Sequence, residues 1–187
     1  MKKCYVLLMM ILSLCLTACV SSSPPMINLQ PQINTQFGSN IGNGKPVVLQ
    51  VIDARPANSF SSAKIEPSQN VAQIFKNQLS QGLQNAGFTL VPIQSDKPLN
   101  HMTVTILAID YRTMKGIASS DNEVFVSAKA AALTTSGLYT RTYNASNYSD
   151  SYMDAMMVDP SDAVNRAVNQ LLNTILSDQK MMGTLAK

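Results

Sequence analysis

Hydrophobic positions repeat at two different periods along the chain. Pro46 to Ala54 is dense in Val, Leu and Ile and is bounded by Gly and Pro. A nearly continuous run of this kind predicts a strand buried on both faces or placed centrally in a sheet. Residues 55–68 follow with little periodicity and read as a long loop, of the kind that either binds or is disordered. From Asn70 to Ala86 the period changes. Val71, Ile74, Phe75, Leu79 and Leu83 fall on one stripe with 3-4 spacing, which predicts a helix. Ser68 is its expected N-cap and Gly87 its expected C′ glycine.

Strands return after that glycine. Phe88 to Val91 is a short one, ended by Pro92. His101 to Tyr111 sets Met102, Val104, Ile106 and Ala108 on one face. Thr103, Thr105, Leu107, Ile109 and Tyr111 line the other, and the apolar second half of that face predicts cover on both sides at this end. Glu123 to Thr135 carries Val124, Val126, Ala128, Ala130 and Ala132 on one face. Ser136-Gly137 predicts a hairpin turn, and Leu138 to Tyr148 returns. The Ala-rich face suits the close approach of a helix. That helix opens at Asp159-Pro160, an N-cap followed by proline at N1, with Asp162 in the first turn. Ala163, Val164, Ala167, Val168, Leu171, Leu172, Ile175 and Leu176 keep 3-4 spacing to about Gln179 or Met182, with Gly183 as the stop.

The order is β-α-β-β-β-β-α. Two amphipathic helices need a surface for their stripes, and one face of a sheet supplies it. The expected fold is α+β: a two-layer sandwich on a mainly antiparallel sheet, with both helices on one face, over residues 45–187. A domain of about 140 residues buries about two-thirds of its unfolded surface, enough to stand alone.

The N-terminus changes the setting. Lys2 and Lys3 precede an apolar run from Tyr5 to Leu16, and small residues Thr17 and Ala18 follow. This is the charge, length and cleavage chemistry of a secretory signal, residues 1–18. It is too short for a span, which needs about 20 apolar residues. Leu16-Thr17-Ala18-Cys19 is similar to the lipobox of bacterial lipoproteins. That resemblance implies cleavage before Cys19 and a covalent lipid on it. Val20, where an Asp would retain the protein at the inner membrane, implies passage to the outer membrane with the domain facing the periplasm. Residues 19–44, rich in Ser, Pro, Asn, Gln and Gly, read as a flexible tether. Its residues span roughly 25–30 Å as coil and at most ~80 Å when extended. Within it, Met26 to Leu29 alternates like a short strand before Pro31.

Composition then narrows the chemistry. Of the three cysteines, Cys4 and Cys15 leave with the signal and Cys19 takes lipid, so the mature domain has no thiol for a disulfide, nucleophile or metal. Removing Lys2 and Lys3 from 14 basic residues leaves 12 against 11 acidic ones. There is no basic run, so no nucleic-acid footprint. His101 is the single histidine and reads as structural. Asp150, Asp154 and Asp159 lack the close spacing and turning glycine of a calcium loop. Phosphate-binding loops, Ser-His-Asp patterns and repeats are absent. No cofactor is expected beyond the lipid, and no metal.

The chain resembles the YajG-like lipoproteins. The resemblance rests on the lipobox, Ile27-Asn28-Leu29-Gln30-Pro31, the strand ending Val51-Ile52-Asp53-Ala54-Arg55-Pro56, the helix closing on Gly87-Phe88, the hairpin, and the helix opening at Asp162-Ala163-Val164. It implies an outer-membrane lipoprotein with an architecture similar to small envelope domains that serve as parts of larger machines. It carries over no catalytic residue.

The candidate contact residues are Met153, Met156, Met157, Tyr148 and Tyr152, since Met and Tyr make adaptable interface anchors, together with Asp53 and Arg55. Met181 and Met182 are weighed equally as interface and core. Asp53 and Arg55 share a strand face and read as an ion pair bracing the next loop, or facing a ligand. The functional expectation is a non-enzymatic, lipid-anchored subunit of a multi-protein envelope complex, with a secretion-system core complex as the first partner to test. The alternative is a periplasmic lipid- or glycan-binding module, with its ligand between sheet and helices.

Overall fold

A computed structural model describes residues 24–33, 40–56, 61–92, 100–115, 120–151 and 159–187. Seven strands are described: β1 (Met26–Ile27), β2 (Pro46–Asp53), β3 (Lys64–Ile65), β4 (Thr89–Leu90), β5 (Asn100–Lys115), β6 (Ser120–Thr134) and β7 (Gly137–Ser151). The helices are α1 (Val71–Asn85), α2 (Pro160–Ser177) and α3 (Gln179–Leu185). The main sheet has the order β4-β2-β5-β6-β7. The fold is the α+β two-layer sandwich expected from the hydrophobic pattern, with helices against one sheet face.

The sheet is mixed. The long strands β5, β6 and β7 pair antiparallel, while β2 pairs parallel with β4 on one side and β5 on the other. Parallel neighbours need a crossover, and α1 supplies it between β2 and β4. This is why β2 is apolar almost throughout. Val47 and Leu49 join the core, and Val48 is buried as well. The Ala-rich face of β6 also behaves as its composition requires. Ala128, Ala130 and Ala132 are fully buried, and α2 crosses β6 and β7 with its own Ala163 and Ala167 buried.

Several local expectations are corrected. The N-cap of α1 is Asn70, whose side chain accepts from Gln73 N at 3.0 Å, and not Ser68. The two-face reading of β5 fails at a β-bulge. Ile106 faces Ala128 and Ala108 faces Ser127, so Leu107 is the extra residue. The insertion swaps the faces, turning Ile109 and Tyr111 into the same core as Met102, Val104 and Ile106. The outer end of β5 is therefore covered on one face only. The last helix stops at Ser177, because Asp178 takes an extended conformation and caps a further helix. Gly183 lies inside that helix rather than ending it, and Met181 and Met182 are core residues. Residues 61–66, expected in a loop, include β3 and pair with β1.

The largest difference concerns the segment read as tether. Residues 24–33 form a strap laid between α1 and α2. Ile27, Leu29 and Pro31 are buried, while the strap backbone bonds to side chains. Asn28 N donates to Ser161 Oγ (3.1 Å), Gln30 N to Asn165 Oδ1 (2.8 Å) and Gln32 N to Asn169 Oδ1 (2.7 Å). The acceptors are four residues apart on α2 and the donors two apart on the strap. A helix rises about 6 Å over four residues and a strand about 6.6 Å over two, so the periods match. Asn165 also donates to Asn28 O. On the opposite side Gln69 accepts from Leu29 N and donates to Leu29 O, and Gln78 accepts from Ile33 N. Past Ile27, where the pairing of β1 with β3 ends, side-chain amides and the Ser161 hydroxyl thus satisfy an extended backbone.

Residues 40–45 are fixed too. Gly42 N donates to Ala86 O at 2.8 Å and Gly44 N to Gly87 O at 2.7 Å, closing the turn on the C-terminus of α1. Gly87 has φ +88°, and a Cβ there would strike the Asn40 side chain. A Cβ on Gly42 would collide with backbone atoms of Gly87 and Phe88, which cannot rotate away. Gly42→Ala is expected to destabilise the domain by about 2–3 kcal/mol; urea unfolding of the two proteins checks this.

Candidate interaction surface

The helices cover one sheet face and leave the other open. The register sets Gln50 and Ile52 of β2, Thr103 and Thr105 of β5, Phe125, Lys129 and Leu133 of β6, and Leu138, Thr140, Thr142 and Tyr148 of β7 on that open face. Among the described residues, seven of the eight exposed large apolar side chains lie there: Ile52, Leu107, Met114, Phe125, Leu133, Leu138 and Tyr148. Leu138 reaches 67% exposure and Tyr148 57%. Single exposed apolar side chains are ordinary, but their concentration on one face marks a contact surface. The bulge contributes directly, since the inserted Leu107 is the residue that stays exposed. Near Phe125, a recess of about 220 Å³ is lined by Asp110, Arg112, Glu123 and Phe125. Asp110 Oδ1 is buried there without a hydrogen-bond partner.

Asp53 and Arg55 close the end of β2. Arg55 Nη2 meets Asp53 Oδ2 at 2.7 Å and its Nε meets Oδ1 at 2.8 Å. The Arg55 hydrogen bond, with its charge, holds the Asp53 carboxyl below its ordinary value against a partial burial that would raise it. Both groups are spent on one another at the rim. His101 begins β5 half-buried, opposite Leu133. Tyr152, Met153, Met156 and Met157 lie outside the described residues, as does Cys19. Tyr148 is the one member of that group that the structure locates, on the open face.

A polar cluster not read from the sequence centres on Asp178. Its Oδ2 accepts from Tyr143 Oη (2.7 Å), Arg141 Nη1 (3.0 Å) and Tyr139 Oη (3.1 Å). Its Oδ1 accepts from Lys180 N (2.9 Å) and Met181 N (3.0 Å). Burial alone would raise this carboxyl. The bonds from Tyr143, Met181 N, Tyr139 and Arg141 outweigh burial and hold it at about 2. Burial, and then the carboxylate itself, push the Tyr143 phenol far above its ordinary value, so it stays a donor. The cluster pins the junction of α2 and α3 to β7. Asp at a break between two helical patterns was the available signal. Beside it, a hollow of about 700 Å³ runs along the outer side of α2, past Arg141, Arg166 and Gln170. The layer between sheet and helices is filled by Val164, Ala167, Val168, Leu171 and Leu172, all fully buried.

No group of His, Cys, Asp and Glu among the described residues has metal-site geometry. No described helix is long and apolar enough to cross a membrane.

A protein family described as uncharacterized lipoprotein matches residues 31–186. Comparison with curated proteins finds no match. Among solved structures, a protein from Xanthomonas campestris superposes with a TM-score of 0.54 at 11% identity, covering 87% of this chain and 97% of that one. A minor lipoprotein from Acinetobacter baumannii gives 0.40 at 14% identity, covering 76% and 90%. A lipoprotein from Neisseria meningitidis gives 0.36 at 16% identity, covering 71% and 97%. The first likeness shows a shared fold; the other two are too distant to argue from.

Proposed function

This chain belongs to a family of uncharacterized lipoproteins, and from that premise we propose that it is a non-enzymatic subunit of a multi-protein envelope assembly, anchored through lipid on Cys19. Two or more acyl chains make such an anchor stable. Val20 favours the outer membrane, with the domain in the periplasm, and the lipobox, Ile27-Asn28-Leu29-Gln30-Pro31 and the strand ending Asp53-Ala54-Arg55-Pro56 favour the YajG-like group. The observation that carries the reading is the open sheet face with its seven exposed apolar side chains. A partner laid on the part of that face around Leu133 and Leu138 would bury the apolar side chains there, and neighbouring threonines such as Thr140 would supply hydrogen bonds at the rim. A secretion-system core complex is the first assembly to test.

The test uses a photo-crosslinking residue at Leu138 in the native envelope, followed by pull-down through a C-terminal tag and mass spectrometry. A fixed set of envelope proteins at constant ratio is expected. Recovery of the protein alone overturns the subunit reading. A companion experiment addresses the anchor. Cys19→Ser is expected to move the protein from the membrane fraction to the soluble one, and retention in the membrane removes the anchor from the proposal.

A further inference from the structure

The strap changes where the domain sits. If the tether ran free to residue 44, the lipid would constrain the domain loosely. The structure instead fixes residues 24–33 as the strap and residues 40–45 against the end of α1. Only five residue steps separate Cys19 from Pro24, which is at most about 18 Å of extended chain. A lipid on Cys19 would therefore keep this end of the domain within about 18 Å of the bilayer.

The end from which the strap emerges is well defined. β1 pairs with β3. Ser62 N donates to Tyr111 O and Lys64 N to Pro25 O, which ties the strap to the outer end of β5. The N-terminus of α2 is there too, through Ser161 and Asn28. β5 and β6 run on past β2, whose last partner is Ile106, to Met114 and beyond. Met26 is 44% exposed, Met114 51% and Tyr148 57%. All three lie at this end. Tyr148 and Leu138 are ten residues apart on one strand, about 33 Å, so the two ends of the open face are separate regions.

We infer that this end of the domain, presenting Met26, Met114 and Tyr148, rests on the lipid surface that holds the Cys19 anchor. The inference rests on the anchored reading above and adds the bilayer itself as a contact. Aromatic side chains such as Tyr sit at headgroup depth at such an end, and apolar ones are buried beside them. The opposite end, with Leu133 and Leu138, is then held out toward protein partners.

The mature chain has no free thiol once Cys19 is acylated, so Met114→Cys and Leu138→Cys each accept one fluorophore. The lipidated mature protein, without residues 1–18, is placed in vesicles of phosphatidylethanolamine and phosphatidylglycerol that carry a nitroxide on a fraction of headgroups. Loss of most of the fluorescence is expected at Met114→Cys and none at Leu138→Cys. Inserting ten Gly/Ser residues between Ser23 and Pro24 leaves the fold untouched and is expected to abolish the quenching at Met114→Cys. Equal quenching at both sites, or none at either while the protein floats with the vesicles, overturns the inference. Mass spectrometry of the N-terminal peptide separates the two levels: an unacylated Cys19 sinks the anchored reading, whereas an acylated Cys19 with unquenched Met114→Cys sinks only the orientation.

Discussion

Replacing Asp178 with Ala is expected to cost about 3–5 kcal/mol, one of the largest losses from a single side chain in this domain. The carboxylate does two jobs at once. Oδ1 caps α3 through two backbone N–H groups, and caps of this kind contribute about 1 kcal/mol each. Oδ2 accepts from two phenols and a guanidinium. Its side chain is only 6% exposed and Tyr143 only 3%. Truncation therefore strands the buried Tyr143 hydroxyl and the half-buried Tyr139 hydroxyl, each costing about 1–3 kcal/mol. Since the whole domain is stable by about 5–15 kcal/mol, the melting temperature is expected to fall by roughly 10–15 °C. Calorimetry checks it. A change below a few degrees would mean that Tyr139 and Tyr143 find water instead. Asp178→Asn, which keeps the cap oxygen and loses the charge, is expected to fall between the two.

The same residue predicts acid sensitivity. A carboxyl held at about 2 in the folded protein, against about 3.9 in the unfolded chain, favours folding wherever it is ionised in both states. That contribution is complete above about pH 4 and is lost as pH falls through about 2, amounting to about 2 kcal/mol. Asp178→Asn is expected to lack this step, so the stability curves of the two proteins converge between pH 4 and pH 2.

The elements with long periodic patterns were legible in the sequence. The stripe of α2, its Asp159-Pro160 opening and the alternation of β6 and β7 each state one structure, because burial and local propensity agree there. What escaped was set by single residues whose effect is not periodic. Leu107 reads as one more member of an alternating strand, yet as a bulge it exchanges the faces of everything after it. Met181 and Met182 look like loose contact residues until Asp178 restarts the helix and turns them inward. The strap was legible only in part. Met26 to Leu29 alternates as a strand does, and β1 lies there, but Ser, Pro, Gln and Gly are common in disordered segments, and composition alone favours a tether. The partner was nevertheless written on α2, where Ser161, Asn165 and Asn169 recur every four residues. The site was less legible than the fold. Exposure of Phe125 and Leu138 follows from helices covering only one face, which alternation within a strand does not reveal, and four of the expected contact residues fall outside the described chain.

Leu29→Asp is expected to release the strap while the sandwich persists, and this tests whether the ladder of amides or the apolar side chains hold it. Leu29 is buried between Gln69 and the core, and an Asp there would place an unpaired carboxylate among apolar groups, a cost of several kcal/mol. Undocking avoids that cost but gives up the burial of Ile27 and Leu29, worth about 1.5–3 kcal/mol each. It also leaves the side chains of Asn165, Asn169 and Gln69 to water. The backbone entropy recovered on release offsets part of this loss, so undocking is the cheaper response, with a net loss of about 3–4 kcal/mol. Hydrogen exchange reads the outcome directly. The amides of Asn28, Leu29, Gln30 and Gln32 are expected to be slow in the parent protein and to exchange as free chain in the variant, while those of β5 and β6 stay protected. Asn165→Ala removes the acceptor for Gln30 N and the donor to Asn28 O without touching the apolar contacts. It is expected to speed exchange at Gln30 alone and to cost about 1–2 kcal/mol. If Asn165→Ala frees the whole strap as Leu29→Asp does, the amide ladder is the dominant hold, and the fixed reach of the anchor depends on a row of hydrogen bonds that one substitution can open.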